Sequence, residues 1–275
     1  MRGSPGHSEA PAQEDLRLRW GVAADPFASL DIAGSQRSLI AFGGTLDAPT
    51  LVAAYRAGCF PWPSGEQEES LDRQARWLVR RGRVPVLPGE DGFVPWCSPD
   101  PRAVLLADQV VIRKSLRARL RRCGWTATVD AAFDAVVAGC ADREATWITR
   151  RMREAYGELH RSSPTLGAGA HSVEIWDGDE LVGGLYGVLV GQVFCGESMF
   201  HRATDGSKVA LVELCSRLLE AGVRVVDVQE ETEHLSSMGQ VLVRRDDYLG
   251  VLATLRDRPA TIATDRRPVA RLALR

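Results

Sequence analysis

Between Ser172 and Phe200 the chain reads SVEIWDGDELVGGLYGVLVGQVFCGESMF, with apolar and polar residues alternating around Asp177-Gly178. Period-two alternation interrupted by an Asp-Gly pair predicts a strand–turn–strand–strand meander. The period then changes. In KVALVELCSRLLEAG, Leu211, Leu214/Cys215 and Leu218 recur at helical spacing, Ser207 is the expected N-cap and Gly222 the stop. VRVVDVQ reads as a short strand with apolar flanks, and RRDDYLGVLATL as a last helix. Nearer the start, LIAFGGTLDAPTLVAAYRAGCFPW predicts an apolar strand, a turn at Gly43-Gly44 and a helix. Asp47 is its expected N-cap, Pro49 lies in its first turn and Gly58 ends it. VVIRKSLRARLRRCG predicts a strand followed by a basic amphipathic helix. Val129–Cys140 and Thr149–His160 predict two more helices, the second capped by Thr149.

Three stretches lack such patterning. Residues 1–19 are rich in Pro, Gly, Glu and Ser and predict a disordered tail. Residues 63–92 form a charged insertion with little periodicity, whose middle suits a short helix. SPDPRAV, with two prolines, marks a domain boundary. The expected fold is therefore α+β. A small N-terminal α/β domain (20–100, carrying the insertion 63–92) precedes a domain at 101–275 with a mixed sheet flanked by helices. The order meander, helix, strand in the second domain fits a GNAT-like acyltransferase core, which by itself does not fix a function.

Composition removes several classes. At 275 residues, 45% hydrophobic and 25% charged, the chain has globular proportions. Lys+Arg of 34 against Asp+Glu of 36 gives a net charge of −2, which weighs against a strongly basic nucleic-acid binder. Only Lys114 and Lys208 are lysines, so the positive charge is almost all arginine. The six cysteines make no CxxC pair and the five histidines no HExxH, so no metal site is expected. Scattered thiols of this kind suit a reduced, cytoplasmic protein. No secretory signal is expected from MRGSPGHSEAPAQED, and Leu181–Cys195 is too short and too interrupted to span a bilayer.

Candidate chemistry is confined to a few places. Acetyltransferases of this fold hold the pyrophosphate of acetyl-CoA on a short Gly-rich loop at a helix N-terminus. HRATDGSKVAL stands at that position without the loop, which disfavours a CoA-dependent N-acetyltransferase, the alternative reading. Glu197 in FCGESMF and Asp227 in VVDVQ are carboxylates inside apolar strands, where an unpaired charge is expensive. Strand alternation places Asp227 and Gln229 on one face. That pair suits the orientation of an attacking amine, or Asp227 forms a structural ion pair with a nearby arginine. Trp62, Trp147 and Phe194 read as core more readily than as a ligand box. The run Arg113, Lys114, Arg117, Arg119, Arg121, Arg122 is either a solvated surface or a phosphate track.

Nine blocks, in order, resemble the leucyl/phenylalanyl-tRNA–protein transferases. They are the GGTL…AYRxGxFPW stretch (Gly43 to Trp62), WCSPDPRAVL, TWIT, AYxxLH, HSVEIW, DELVGGLYGV, FCGESMF, SKVAL and VDVQ. The resemblance implies an aminoacyltransferase that moves Leu or Phe, with Met a further candidate, from aminoacyl-tRNA to the N-terminal Arg or Lys of a protein. The product is marked for N-end-rule degradation. No cofactor or metal is implied, since the ester is already activated, and the chain is expected to act as a monomer. By the same resemblance Asp227 and Gln229 are the catalytic pair, with Gln229 polarised by Asp227, and Glu197 binds the acceptor. Trp62, Trp147, Phe194, Leu214, Tyr55 and Tyr156 form the aminoacyl pocket, and Arg113, Lys114, Arg117, Arg121 and Lys208 the tRNA contacts. Leu214 stands where the family usually has a large hydrophobe, and Val228 where a cysteine is common.

Overall fold

The computed structural model of the chain describes residues 25–62, 77–89, 94–142 and 146–275. The expected tail 1–19 and residues 63–76 and 90–92 of the expected insertion lie outside them.

The N-terminal unit starts with β1 (Leu39–Gly43) and α1 (Ala48–Arg56). Asp47 caps α1 as predicted, its carboxylate accepting from Thr50 N–H at 2.8 Å. Gly58, with φ +81°, ends it, and a Cβ there would stand 2.4 Å from the Leu249 side chain. The chain continues through β2 (Phe60–Pro61), β3 (Val86–Leu87) and β4 (Pro95–Cys97). These strands form a sheet in the order β2-β4-β1-β3, with β1 and β3 parallel. So part of the stretch expected as an unpatterned insertion is a sheet strand. Val84 and Leu87 are buried while Val86 is exposed. Two residues of ladder are too short to register as alternation.

The second unit runs β5 (Arg102–Leu106), α2 (Lys114–Arg122), β6 (Thr126–Val129), α3 (Phe133–Ala141) and α4 (Arg150–Leu166). The meander follows as predicted: β7 (Ala168–Asp177), β8 (Glu180–Val190) and β9 (Val193–His201). Then come α5 (Gly206–Glu220), β10 (Val225–Gln229), the one-turn α6 (Glu233–Ser236), β11 (Val241–Val243) and α7 (Arg245–Leu255). The chain closes with β12 (Arg267–Pro268) and a 3-10 helix (Val269–Leu274). The strands form one sheet, β11-β5-β10-β9-β8-β7-β6-β12, antiparallel throughout except for β9 beside β10.

Three local expectations are corrected. Residues 110–113 are irregular, and the strand is β5, where Ala103, Val104 and Leu105 are buried within the presumed boundary. Val129 ends β6, and the helix expected to begin there starts at Phe133. Ser207 lies inside the first turn of α5, because Asp205 at φ +69° turns the chain and the helix begins at Gly206. Thr149 caps α4 as expected, accepting from Met152 N–H at 3.2 Å.

Two cores flank the large sheet. Leu116 and Leu120 of α2, the inner face of α5 and Leu272 pack on one side. On the other, α1, α3, α4 and α7 pack together with residues of the N-terminal sheet, so both units share one apolar cluster. The first core also encloses a charge cluster. Glu213 and Arg217 are fully buried and joined at 2.6 Å, and Arg271 donates to both Glu213 oxygens at 2.7 Å. Arg217 further donates to the carbonyls of Ala263 (2.5 Å) and Asp265 (2.7 Å), which pins the C-terminal segment. Removing one member strands buried charge. Glu213→Ala is expected to lower stability by about 3–5 kcal/mol in urea unfolding, and Glu213→Gln by less.

Candidate active site

The site forms where β9 and β10 part. Their parallel pairing ends at Asp227 opposite Cys195, after which β9 continues beside β8 alone. Each strand is irregular at that point. On β9, Gly196 faces Gly187 and Ser198 faces Tyr186, which leaves Glu197 as the extra residue of a bulge. Gly187 makes this possible: a Cβ there would lie 2.2 Å from the Cys195 carbonyl oxygen and 2.6 Å from the Phe194 ring. On β10, the register against β5 shifts between Asp227 and Gln229, and Gln229 has φ +69°.

That shift corrects the expected face. Strict alternation pairs Asp227 with Gln229, but the left-handed backbone carries Gln229 round to the side of Val226 and Val228. Asp227 remains on the opposite side, fully buried. Arg102 Nε and Nη2 donate to its two oxygens at 2.8 and 2.6 Å, and Tyr248 Oη donates at 2.8 Å. The backbone N–H of Gln229 adds a fourth bond at 3.0 Å. The ion pair with an arginine that the sequence left open is therefore made with Arg102. Burial works against the Arg102 charge, and Asp227, joined by Tyr248 and Cys195, more than offsets it, holding the guanidinium above its ordinary value. Asp227 touches the backbone of Gln229, whereas the amide of Gln229 donates to Glu197 Oε1 at 2.6 Å. The carboxylate that engages the Gln229 side chain is Glu197, not Asp227.

Glu197 is 7% exposed and opens on a cavity of about 270 Å³. Its Oε2 accepts from Tyr156 Oη at 2.8 Å, and that hydroxyl lies 2.5 Å from Tyr55 Oη. Burial pushes the carboxyl up to about 7 against the pull of bonds with Tyr55, Tyr156 and Gln229, with the charge of Asp227 adding to the rise. The cavity floor is apolar: Leu185, Phe194, Leu211, Leu214 and Val226. Trp62 and Trp147 stand over it, rings 6.3 Å apart and 25° from parallel. Gln229, Glu230 and His234 complete the wall.

Of the residues expected in the pocket, Trp62, Trp147, Phe194 and Leu214 line it. Tyr55 and Tyr156 do not. They stand behind Glu197, their hydroxyls spent on each other and on its carboxylate. Arg113, Lys114 and Arg121 are exposed on or beside α2, as is Arg122. Arg117 is turned away from solvent phosphate, donating to the carbonyls of Ala273 (2.7 Å) and Arg275. Lys208 pairs with Asp205 at 2.9 Å and lines a second hollow that shares Met199 and His234 with the first. Arg102 and Tyr248 were not singled out by sequence, although an arginine beside the apolar AVLL run was a visible signal. Among the described residues no group of His, Cys, Asp and Glu is placed to hold a metal ion.

These placements separate two roles. Asp227→Ala leaves the Arg102 charge buried and unpaired and is expected to cost about 3–5 kcal/mol of stability. Gln229→Ala keeps the backbone strain and loses one hydrogen bond to buried Glu197, which should cost only about 1–3 kcal/mol, with activity lost from a folded protein; urea unfolding and turnover measured together distinguish them. Glu197 also carries a stability signature. Folded, it keeps its proton to about 7, while the unfolded chain releases it near 4.5. Stability therefore declines as pH rises between those values. The advantage of Glu197→Gln over the parent should grow by about 3 kcal/mol between pH 4 and pH 8.

Comparison with known proteins shows the family. The family model for leucyl/phenylalanyl-tRNA protein transferase matches residues 104–253, and that for the N-terminal domain of the same family matches residues 44–71. Leucyl/phenylalanyl-tRNA–protein transferases of Shewanella baltica (strain OS195) and Shewanella pealeana are 40% and 41% identical to the chain. Each alignment covers 82% of this chain and 84% of the relative. A GCN5-related N-acetyltransferase from Kribbella flavida aligns over 52% of this chain and 55% of its own, at 14% identity and a TM-score of 0.29. That likeness is too loose to bear on the fold, which rests on the strand order above. The chain is an aminoacyltransferase and belongs to the leucyl/phenylalanyl-tRNA protein transferase family.

Proposed function

We propose that this chain moves leucine or phenylalanine, with methionine a further donor, from aminoacyl-tRNA to the N-terminal Arg or Lys of acceptor proteins. The observation that carries the reading is an apolar cavity, closed at its floor by Phe194 and Leu214, that ends at the polar pair Glu197 and Gln229. A donor side chain fills the floor, which brings its ester carbonyl to the polar wall. The acceptor's α-amine reaches the carbonyl from the rim beside Glu197. Because the ester is already activated, the reaction takes no cofactor, and holding both partners in register supplies much of the acceleration. Glu230 at the cavity and the exposed Glu231 and Glu233 beyond it give the rim a negative field that suits a cationic first residue.

The tRNA lies toward α2. From the second hollow a path leads past Asp205 to a third, lined by Arg119 and Arg122. Arg113, Lys114 and Arg121 carry the phosphate contacts in this reading, with Lys208 nearer the site. Arg117 supports the C-terminal segment instead. The chain acts as a monomer in this reading: Phe60, Pro61 and Trp62 of the N-terminal unit and the remaining walls from the second complete the cavity within one chain. It works in the cytoplasm, and its products enter N-end-rule degradation; among the described residues no helix is long and apolar enough to cross a membrane.

Label followed from radioactive leucyl-tRNA into an Arg-initiated peptide tests the reading. Label entering from acetyl-CoA instead would favour the N-acetyltransferase alternative. Affinity for aminoacyl-tRNA should fall steeply with salt, and each of Arg113→Ala, Lys114→Ala and Arg121→Ala should reduce the log–log slope by about 1. Arg117→Ala should leave the slope unchanged and lower the melting temperature. Leu214→Phe shortens the cavity floor and should shift preference from phenylalanine toward leucine by about 10–100-fold in kcat/KM.

A further inference from the structure

We propose that Glu197 is the group that takes the proton from the attacking α-amine and returns it to the departing ribose oxygen. This rests on the transfer reaction above and assigns its proton carrier. Three carboxylates stand near the polar wall: Asp227, Glu230 and Glu197. Asp227 lies outside the cavity lining and already accepts four hydrogen bonds, two of them from a fully buried arginine. A proton placed there would break a bidentate ion pair with no solvent to replace it. Glu230 is exposed on the rim, outside the enclosed part of the cavity where the ester lies in this reading.

Glu197 has the remaining geometry. It faces the cavity, and the three donors that reach it, Tyr55, Tyr156 and Gln229, leave one of a carboxylate's four acceptor directions free. Gln229, locked to Oε1 at 2.6 Å, sets the carboxylate's orientation and places an amide beside the incoming nitrogen. The titratable groups around Glu197 are Tyr55 from α1, Tyr156 from α4, Tyr186 from β8, Cys195 on its own strand and Asp227 from β10, with Glu230 and His234 on the cavity wall. Their balance, dominated by burial, holds the carboxyl near the operating pH, where one group can both accept and return a proton. In the step, the lone pair of the neutral amine forms the new C–N bond and the nitrogen loses one proton to Glu197. The C–O bond to the ribose then breaks, and its oxygen takes that proton. The products are an amide and a free hydroxyl, and Glu197 is again a carboxylate.

The test is steady-state transfer at saturating leucyl-tRNA with varied Arg-initiated peptide and pH. The quantity read is kcat, because the α-amine of free acceptor titrates near 8 and shapes kcat/KM. Glu197→Gln should lower kcat by about 10²–10⁴-fold, leave the acceptor KM little changed and abolish the acid limb of the kcat profile near pH 7. Tyr156→Phe removes a bond that pulls the carboxyl down, so the acid limb should move to higher pH. Circular dichroism and thermal melts establish that both variants are folded. A raised KM with kcat retained in Glu197→Gln, or an acid limb that persists in it, overturns the proposal and leaves Glu197 as a docking group for the acceptor. Parent protein that moves no leucine at all overturns the transferase reading itself.

Discussion

The buried pair of Arg102 and Asp227 is the constraint on which the rest of the site depends. A carboxylate and a guanidinium taken out of water repay their desolvation only when the geometry is bidentate and the remaining lone pairs are filled. Both conditions hold. Arg102 is sandwiched by Tyr248 and Phe60, 4.5 and 4.9 Å from the ring centroids, and also donates to the Gly58 carbonyl at 3.2 Å. One ion pair therefore ties β5 to β10, reaches α7 through Tyr248 and grips the turn that ends α1. Its last free acceptor position takes the N–H of Gln229 and so sustains a left-handed backbone at a residue with a side chain, which is otherwise unfavourable. The pair acts on the cavity from behind: it fixes Gln229, which lines the cavity, while Asp227 does not.

Glu197 is held by a different logic. Its donors are neutral, two tyrosines in series and an amide, and no cation lies among the groups bonded to it. Neutral donors soften the cost of burying a carboxylate without cancelling it, which is why this carboxyl sits near 7 while its neighbour is held as a charged pair. The two bulges, one on each side of the split in the sheet, are what allow both arrangements within a few residues. An unbroken ladder would have turned either Glu197 or Gln229 away from the cavity.

Much of this was legible in the sequence where local chemistry decides the outcome. Asp47 and Thr149 cap their helices because their side chains serve N–H groups three residues on, and the meander turns within one residue of the expected pair, at Gly178-Asp179. Trp62, Trp147, Phe194 and Leu214, four of the residues assigned to the pocket by resemblance, line the cavity. The misreadings share a cause: each depended on a partner distant in sequence. Gln229 changes face through a register shift against β5. Arg117 is claimed by the chain's last carbonyls, and Tyr55 and Tyr156 by a carboxylate on another strand. Periodicity reports which face a residue occupies in a regular element, but it carries no information about where that element is irregular.

The charge distribution follows from the same division. A net charge of −2 concealed opposite demands. Arg113, Lys114, Arg121 and Arg122 make one exposed basic cluster around α2, and Glu230, Glu231 and Glu233 make an exposed acidic one after Gln229, on the side from which the proposed cationic N-terminus would approach. Between them lies a neutral floor and a single partly protonated carboxyl. An RNA ester and a positively charged polypeptide can approach such a site together without competing for one field, since each meets charge of its own complement and only the uncharged portions of both meet in the cavity. Because the N-terminal unit supplies Trp62 to the cavity wall and Tyr55 to the support of Glu197, this arrangement exists only when the two units share their common core. The boundary between them is thus topological, and the site depends on both.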